Sequence, residues 1–360
     1  MIAWFQTHGR KLPWRNHPTP YQVWVSELML QQTQVVTVIP YYERWMNTFP
    51  DIHALSQAPL QQVLSLWAGL GYYRRAKYLH EGARIIVSDY DGVFPSTISE
   101  LRKIPGIGDY TAGAIASFAF NQNEPAIDGN AERVLSRFFG IAGDLSHGEP
   151  RKNLVQIAQR LANLGHSREL NQAIMDLGAS YCSKKACCDK CPIADKCYAL
   201  SQGLTETLPQ KKNPIQKIYE LRTCIKLLNT NKKILIAKRK ADALLGNLWE
   251  FPMISLFKGT AETARDQMDI IKRRPRKDLW NHWLSQTGSR LLHCDPIHAE
   301  VHHTFTHIQM TVIMDTGELS KTIDLSILPH EDYDEYAWIV QNELDNYPMS
   351  TLMKKVLRFV

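Results

Sequence analysis

The chain has 360 residues, of which 44% are hydrophobic and 22% charged, and its formal net charge is +6. That length suggests about two domains with a real core, and the mildly basic balance leans towards a polyanionic partner without requiring one. The first residues, MIAWFQTHGRKLPW, lack the apolar run of a signal peptide, and no stretch approaches the roughly 18 apolar residues of a membrane span. A cytoplasmic protein with no membrane partner is expected.

Residues 1–203 read as helical. VSELMLQQTQVV has helical periodicity. APLQQVLSLWAGLGYY places Leu60, Val63, Leu64 and Trp67 at i, i+3, i+4 and i+7 before Gly69 and Gly71 end the stripe. In LRKIPGIGDYTAGAIASFAF, residues 101–120, Pro105, Gly106 and Gly108 interrupt one helix and release another. Such glycines permit a tight turn and a close backbone approach, and the N–H groups opening the second helix suit an anion such as a DNA phosphate. A plain helix-connecting turn has the same sequence. NAERVLSRFFG is a further helix, stopped at Gly140.

Five of the seven cysteines fall within residues 182–197, while Cys224 and Cys294 stand alone. An odd total with one dense cluster is a metal-site pattern rather than a secreted disulfide framework. Cys182-x5-Cys188-x2-Cys191-x5-Cys197 offers four thiolates, which by spacing suit either zinc or an iron–sulfur cluster. Residues 204–217, LTETLPQKKNPIQK, are polar and basic with two prolines and are expected to be a linker. Beyond it, YELRTCIKLL and KKILIAKRK flank NTN as a β-hairpin, and FTHIQMTVIM and DEYAWIV read as further strands. The expected fold class is therefore an all-α first domain (1–203) and a smaller α+β second domain (218–360).

The helix-hairpin-helix IPGIG, the downstream AIDGN and the cysteine cluster together resemble the endonuclease III superfamily of DNA glycosylases. Within it, VSELMLQQTQV, GLGYYRRAKYLH and IDGNAERVLSRFF look like the adenine glycosylases of the MutY type. GNLWEFP and HHTFTH extend the resemblance more weakly into a Nudix-like second domain. It implies a monomeric, nucleoid-associated base-excision-repair enzyme. Its substrate would be double-stranded DNA in which adenine is mispaired with 8-oxoguanine or guanine, and the resemblance favours a [4Fe–4S] cluster. The family spacing is usually C-x6-C-x2-C-x5-C; here the first gap is one residue shorter and Cys187 adjoins Cys188. Because Cys188 keeps both downstream spacings, the implied ligands are Cys182, Cys188, Cys191 and Cys197.

Cleaving an N-glycosidic bond needs a proton on the leaving base and stabilisation of the sugar oxocarbenium, which two carboxylates of different pKa can supply. Glu27 has Trp24 and Leu30 at i−3 and i+3, an apolar flank that should raise its pKa. Asp128 lies just before a helix, where the N-terminus should favour its ionised form. Taken alone, Glu27 reads as well as solvated surface and Asp128 as a simple N-cap. The resemblance makes Glu27 the acid that protonates adenine and Asp128 the stabiliser of the cation. Tyr110 stands where related glycosylase/lyases carry a nucleophilic lysine, which implies hydrolysis without an efficient lyase step. Asn130 joins this site by resemblance, with Gly106 and Gly108 at the phosphate contact.

An extruded base leaves a gap in the duplex, and the resemblance fills it with Gln32 and Tyr72. Tyr72 as core packing is the alternative. Thr33 and Leu70 are implied contacts to 8-oxoguanine, and Arg10, Leu12, Trp14, Arg15 and Asp176 line the adenine pocket. Phe305, Thr306 and His307 match a loop that approaches 8-oxoguanine, unless Phe305 is merely the first core residue of its strand. No complete G-x5-E-x7-R-E-x-x-E-E signature follows Gly246 or Gly259, so pyrophosphate hydrolysis is not expected. PHEDYDE (329–335) reads as a solvated acidic loop, and KRRPRK (272–277) as a phosphate contact or a solvated basic loop. Two rival functions remain open: a thymine-mismatch or endonuclease III-like glycosylase, and a non-catalytic iron–sulfur DNA-binding protein.

Overall fold

The computed structural model describes residues 1–210 and 216–360, without the side chains of Arg265 and Asp266. The chain forms two compact units: Met1–Ala58 with Arg74–Asn213, and Pro59–Tyr73 with Pro214–Val360. Among the described residues, no helix is long and apolar enough to cross a membrane.

The first unit is helical. Helices α1 (Ile2–His8), α2 (Pro20–Leu30), α3 (Val35–Thr48) and α4 (Ile52–Gln57) precede α5 (Leu60–Trp67), which clusters with the second unit. Then come α6 (Arg74–Asp89), α7 (Ile98–Leu101), α8 (Asp109–Phe118), α9 (Gly129–Phe139), α10 (Gly148–Ala162), α11 (Ser167–Ala179) and α12 (Tyr198–Ser201). The turn between α7 and α8 is the expected interrupted helix. Gly106 adopts φ +79°, and a Cβ there would meet Tyr78 at 2.7 Å, so both backbone and packing require glycine. Gly140 ends α9 in the left-handed conformation, as its sequence foretells.

The helical pattern over residues 25–36 is split. It stops at Leu30 and resumes at Val35, with Gln32 at φ +56° between them. The start of the expected linker is also structured. Leu208 is buried, and its carbonyl accepts from Arg137 Nε at 2.8 Å; residues 211–215 of the linker lie outside the described residues.

The second unit is built on a seven-stranded sheet: β1 (Ile218–Leu228), β2 (Ile234–Arg239), β3 (Trp249–Glu250), β4 (Met253–Gly259), β5 (Leu291–Thr304), β6 (Ile308–Leu319) and β7 (Tyr333–Ile339). Its order is β3-β2-β1-β6-β5, with β4 paired to β1 and β7 to β2. β1 and β2 follow one another as expected but pair antiparallel only at their tips, Leu228 with Ile234, because β4 lies antiparallel along Tyr219–Cys224 and β7 along β2; β1 and β6 run parallel. Apolar side chains are buried in two clusters. One gathers Phe251, Val312 and Met314 with Met353 of α15 (Thr351–Val356). The other gathers Ile225, Leu227 and Leu235 with Trp280 of α14 (Lys277–Trp283), which follows α13 (Ala261–Lys272). Glu331 and Asp332 are exposed as expected, but the acidic loop expected over 329–335 ends at Asp332: Tyr333, buried, opens β7, which also carries Asp334 and Glu335.

Candidate active site and cysteine loop

Thr19 and Gln22 form a reciprocal capping box, and Pro20 occupies the first turn, so the start of α2 is fixed by local chemistry. From that start, Glu27 falls within a buried run and is only 5% exposed. Burial raises its carboxyl to about 7, although a hydrogen bond from Tyr110 works the other way. The Tyr110 phenol donates to Glu27 Oε2. Burial, with the nearby Glu27 carboxylate, pushes that phenol well above its usual range, so it remains a donor.

Asp128 caps α9: its Oδ1 accepts from Ala131 N at 2.7 Å and its Oδ2 from Asn130 Nδ2 at 2.8 Å. The expectation that the helix terminus favours its ionised form is corrected here. Burial is the largest influence and leaves the carboxyl above its ordinary value despite those bonds. Glu27, Tyr110, Asp128 and Asn130 all line one cavity of about 830 Å³. An acid held near neutrality, a second carboxyl and a neutral phenol thus share one chamber.

Arg10, Leu12, Trp14 and Arg15 line the same cavity; Asp176, expected beside them, does not. It is buried, and its carboxylate receives Arg15 through 2.7 and 2.8 Å bonds and Arg10 through backbone and side chain. Burial alone would raise its pKa, but the two guanidiniums hold it below the usual carboxylate value. Asp176 therefore braces the two arginines from behind.

Gln32 and Thr33 also border the cavity, Gln32 being exposed. Sequence reasoning missed what holds them. Arg75 is buried, and its Nη1 donates to the carbonyls of Leu28, Met29 and Gln31 at 2.5–2.9 Å. Its Nη2 reaches Thr33 Oγ1 at 3.3 Å. One guanidinium thus caps the carbonyl end of α2 and shapes the turn beyond it. The only signal was an arginine inside the otherwise amphipathic YYRRAKYLH. Arg133 was missed as well: it donates to Asn130 Oδ1 at 2.7 Å and to the Cys182 carbonyl at 2.7 Å, tying the Asp128 turn to the cysteine loop.

Gly108 is exposed, and a Cβ built there would meet nothing within 4 Å, so space is open in front of α8. In the second unit, Tyr72 is 47% exposed at φ +50°, whereas Leu70 is buried. A bulky residue in the left-handed region is strained, a condition that concentrates at functional positions, and the exposure of Tyr72 argues against a core role. Phe305 packs partly buried against the sheet core in the β5–β6 turn. Thr306 and His307 are exposed, with no side-chain hydrogen bond among the described residues. The strand expected from residue 305 begins at Ile308, because the chain turns there, with Phe305 N bonded to Ile308 O.

Cys182, Cys188, Cys191 and Cys197 line a small, mainly apolar cavity with Val134, Leu177 and Ile193. Cys187 is exposed and stands apart from it. Burial, followed by the mutual proximity of the other thiols, raises Cys188 and Cys191. Arg137 Nη1 lies 3.4 Å from Cys182 Sγ, a cationic neighbour suited to thiolate charge. Among the described residues, no group of three His, Cys, Asp or Glu side chains is gathered as a single metal ion would need.

Residues 25–179 match the model of the HhH-GPD superfamily of base excision DNA repair proteins, and residues 223–359 match that of the NUDIX domain. An adenine DNA glycosylase of Mus musculus is 32% identical, covering 99% of this chain and 76% of its own. One from Arabidopsis thaliana is 33% identical over 88% of this chain, which spans only 56% of that relative. A thermostable thymine-DNA glycosylase structure covers 56% of this chain and 93% of its own, at 27% identity and a TM-score of 0.52.

Proposed function

Because the chain belongs to the adenine DNA glycosylase family, we propose that it hydrolyses the N-glycosidic bond of adenine mispaired with 8-oxoguanine or guanine in double-stranded DNA. The observation that carries this reading is the pairing of a buried, near-neutral Glu27 with Asp128 in one chamber, where Tyr110 rather than an amine meets the acid. The target nucleotide leaves the stack and enters the chamber. Glu27 transfers its proton to the adenine ring as the C1′–N bond breaks and its electron pair leaves with the base. Asp128, oriented by Asn130 and Ala131 N, stabilises the positive charge at C1′. Water adds to C1′ and loses a proton, leaving an abasic site. Without an amine at position 110, that residue can form no Schiff base. Gln32 and Tyr72 fill the vacated stack, and Thr306 and His307 contact 8-oxoguanine.

Cys182, Cys188, Cys191 and Cys197 would hold a [4Fe–4S] cluster. Four thiols around one small, mainly apolar cavity, with Arg137 beside Cys182, supply the donor set and the counter-charge such a cluster needs. When bound, the group cross-links the 182–197 loop and contributes folding energy. The deciding assay uses a duplex with adenine opposite 8-oxoguanine, with and without alkali. Scission only after alkali is expected. Efficient scission without alkali, or no abasic product at all, overturns the reading.

A further inference from the structure

The second unit contains a cavity of about 750 Å³ to which the proposed chemistry assigns no role. Its rim is the α13–α14 connection, residues 272–277, and its floor is the middle of β5 with Asp315 of β6. Three cations of this segment are anchored to the sheet. Lys272 pairs with Glu300 at 2.8 Å, Lys277 donates to Leu292 O at 2.9 Å, and Arg276 grips Asp315 through both carboxylate oxygens. Asp315 also receives Thr223 Oγ1 and Trp280 Nε1, so its charge and lone pairs are occupied. Between these anchors Arg273 and Arg274 are exposed, and their guanidiniums have no partner among the described residues. Cys294 opens into the cavity as a neutral thiol, burial having raised it to about 11. The result is a fixed cationic turn facing a cavity whose carboxylates are already paired.

We infer that Arg273 and Arg274 bind backbone phosphates of the DNA duplex flanking the mispair. Phosphate oxyanions of a free nucleotide would offer the same chemistry. The duplex is favoured because the lining includes no Phe, Tyr or Trp to stack a base, only aliphatic side chains, Cys294 and His298 beside the charges. Residues 298–300 lie along β5 from Thr306, at about 20–27 Å by roughly 3.3 Å per residue. That distance spans about six to eight base pairs at ~3.4 Å each. The inference rests on the reading of this chain as a duplex-DNA enzyme whose Thr306 loop approaches the lesion.

The test compares the full chain with the double variant Arg273→Ala/Arg274→Ala, using Lys233→Ala/Lys321→Ala as a control of equal charge loss. Binding to mispair duplexes is measured across potassium chloride concentrations, with flanks of about 4 or about 12 base pairs. On the long duplex, the log–log salt slope of the arginine variant should flatten by about 1–2, while the control keeps the parent's slope. On the short duplex, all three proteins should converge. Equal slopes on the long duplex overturn the inference. So does protection of the parent, but not the variant, by dATP or sodium triphosphate with duplex slopes unchanged, which assigns the cavity to free nucleotides. Single-turnover excision at saturating enzyme is read in the same samples. Its absence in the parent would count against the proposed activity, whereas normal excision with unchanged slopes would count against this site alone.

Discussion

The phenol of Tyr110 donates to the carboxyl of Glu27, joining the helix that follows the hairpin to the helix that carries the acid. This bond lowers the Glu27 pKa against the larger effect of burial, which leaves it near 7. In the proposed reaction the protonated form is the useful one, so excision should fall as pH rises through about 7. In Tyr110→Phe the counterweight is gone, and the fall should move to higher pH in single-turnover profiles. Tyr110→Lys should instead yield some borohydride-trappable DNA adduct. Efficient trapping by the parent would mean that another lysine is the nucleophile.

Glu27→Gln keeps the shape but has no acid proton, so mispair binding should persist while excision is lost. Stability supplies an independent readout. A carboxyl whose folded pKa lies above its unfolded value destabilises the fold as pH rises from about 4.5 through 7. The glutamine variant should therefore be more resistant to urea than the parent at pH 8, by up to roughly 3 kcal/mol. The two proteins should converge near pH 4. A variant less stable at pH 8 contradicts the assignment of a buried, near-neutral acid.

Which features were legible depended on how local their causes are. The hairpin and the stop at Gly140 sit in motifs whose glycines act within a few residues, whereas Glu27, Tyr110 and Asp128 were grouped by resemblance and meet only through tertiary packing. The break after Leu30 was not legible, because QQT contains no glycine or proline. It is held by Arg75, more than forty residues away in sequence. The ionisation of Asp128 was misjudged for a similar reason: a cap is visible in sequence, whereas burial comes from tertiary packing. β5 escaped notice because HCDPIHAEVHHT lacks clean alternation and carries Pro296. It ends the main strand order and contains register shifts, a setting where proline is tolerated. Asp176 is bonded to Arg10 and Arg15, which line the cavity, without lining it itself, a relation that tertiary packing alone sets.

Arg75 offers a test of the turn that carries Gln32. Truncation to alanine leaves three carbonyls, two of them buried, without their donor and should cost roughly 2–4 kcal/mol. Arg75→Lys retains charge but cannot span Leu28, Met29, Gln31 and Thr33 together. Mispair affinity should weaken in both variants at a temperature where circular dichroism shows them folded. Parent-like affinity in folded Arg75→Lys would show that the turn holds its shape without the guanidinium.

The cysteine assignment predicts an ordering. Cys188→Ser should lower soluble yield and iron content severely, as should loss of Cys182, Cys191 or Cys197, because metal binding is linked to folding. Cys187→Ser should be mild, since that thiol is exposed and outside the cavity. Iron and sulfide are to be measured on anaerobically purified protein. The reverse order of the two serine variants, or stoichiometric zinc, would reject the ligand set or the cluster type.

The β5–β6 turn places one packed and two exposed side chains within three residues. Phe305 is partly buried against the sheet core and stacks edge-on to His303 at 4.6 Å, whereas Thr306 and His307 face solvent. Phe305→Ala should therefore lower the melting temperature and reduce excision opposite 8-oxoguanine and guanine alike. Thr306→Ala and His307→Ala should leave the melting temperature near the parent's, because neither side chain is bonded among the described residues. Their effect should appear as a shift in preference. A lost hydrogen bond of roughly 0.5–1.5 kcal/mol makes excision opposite 8-oxoguanine a few-fold to about tenfold weaker relative to guanine. Thr306→Ser restores the hydroxyl and should restore the preference, which separates hydrogen bonding from shape. If both alanine variants keep the parent's ratio between the two opposing bases, the exposed half of the turn takes no part in reading the lesion.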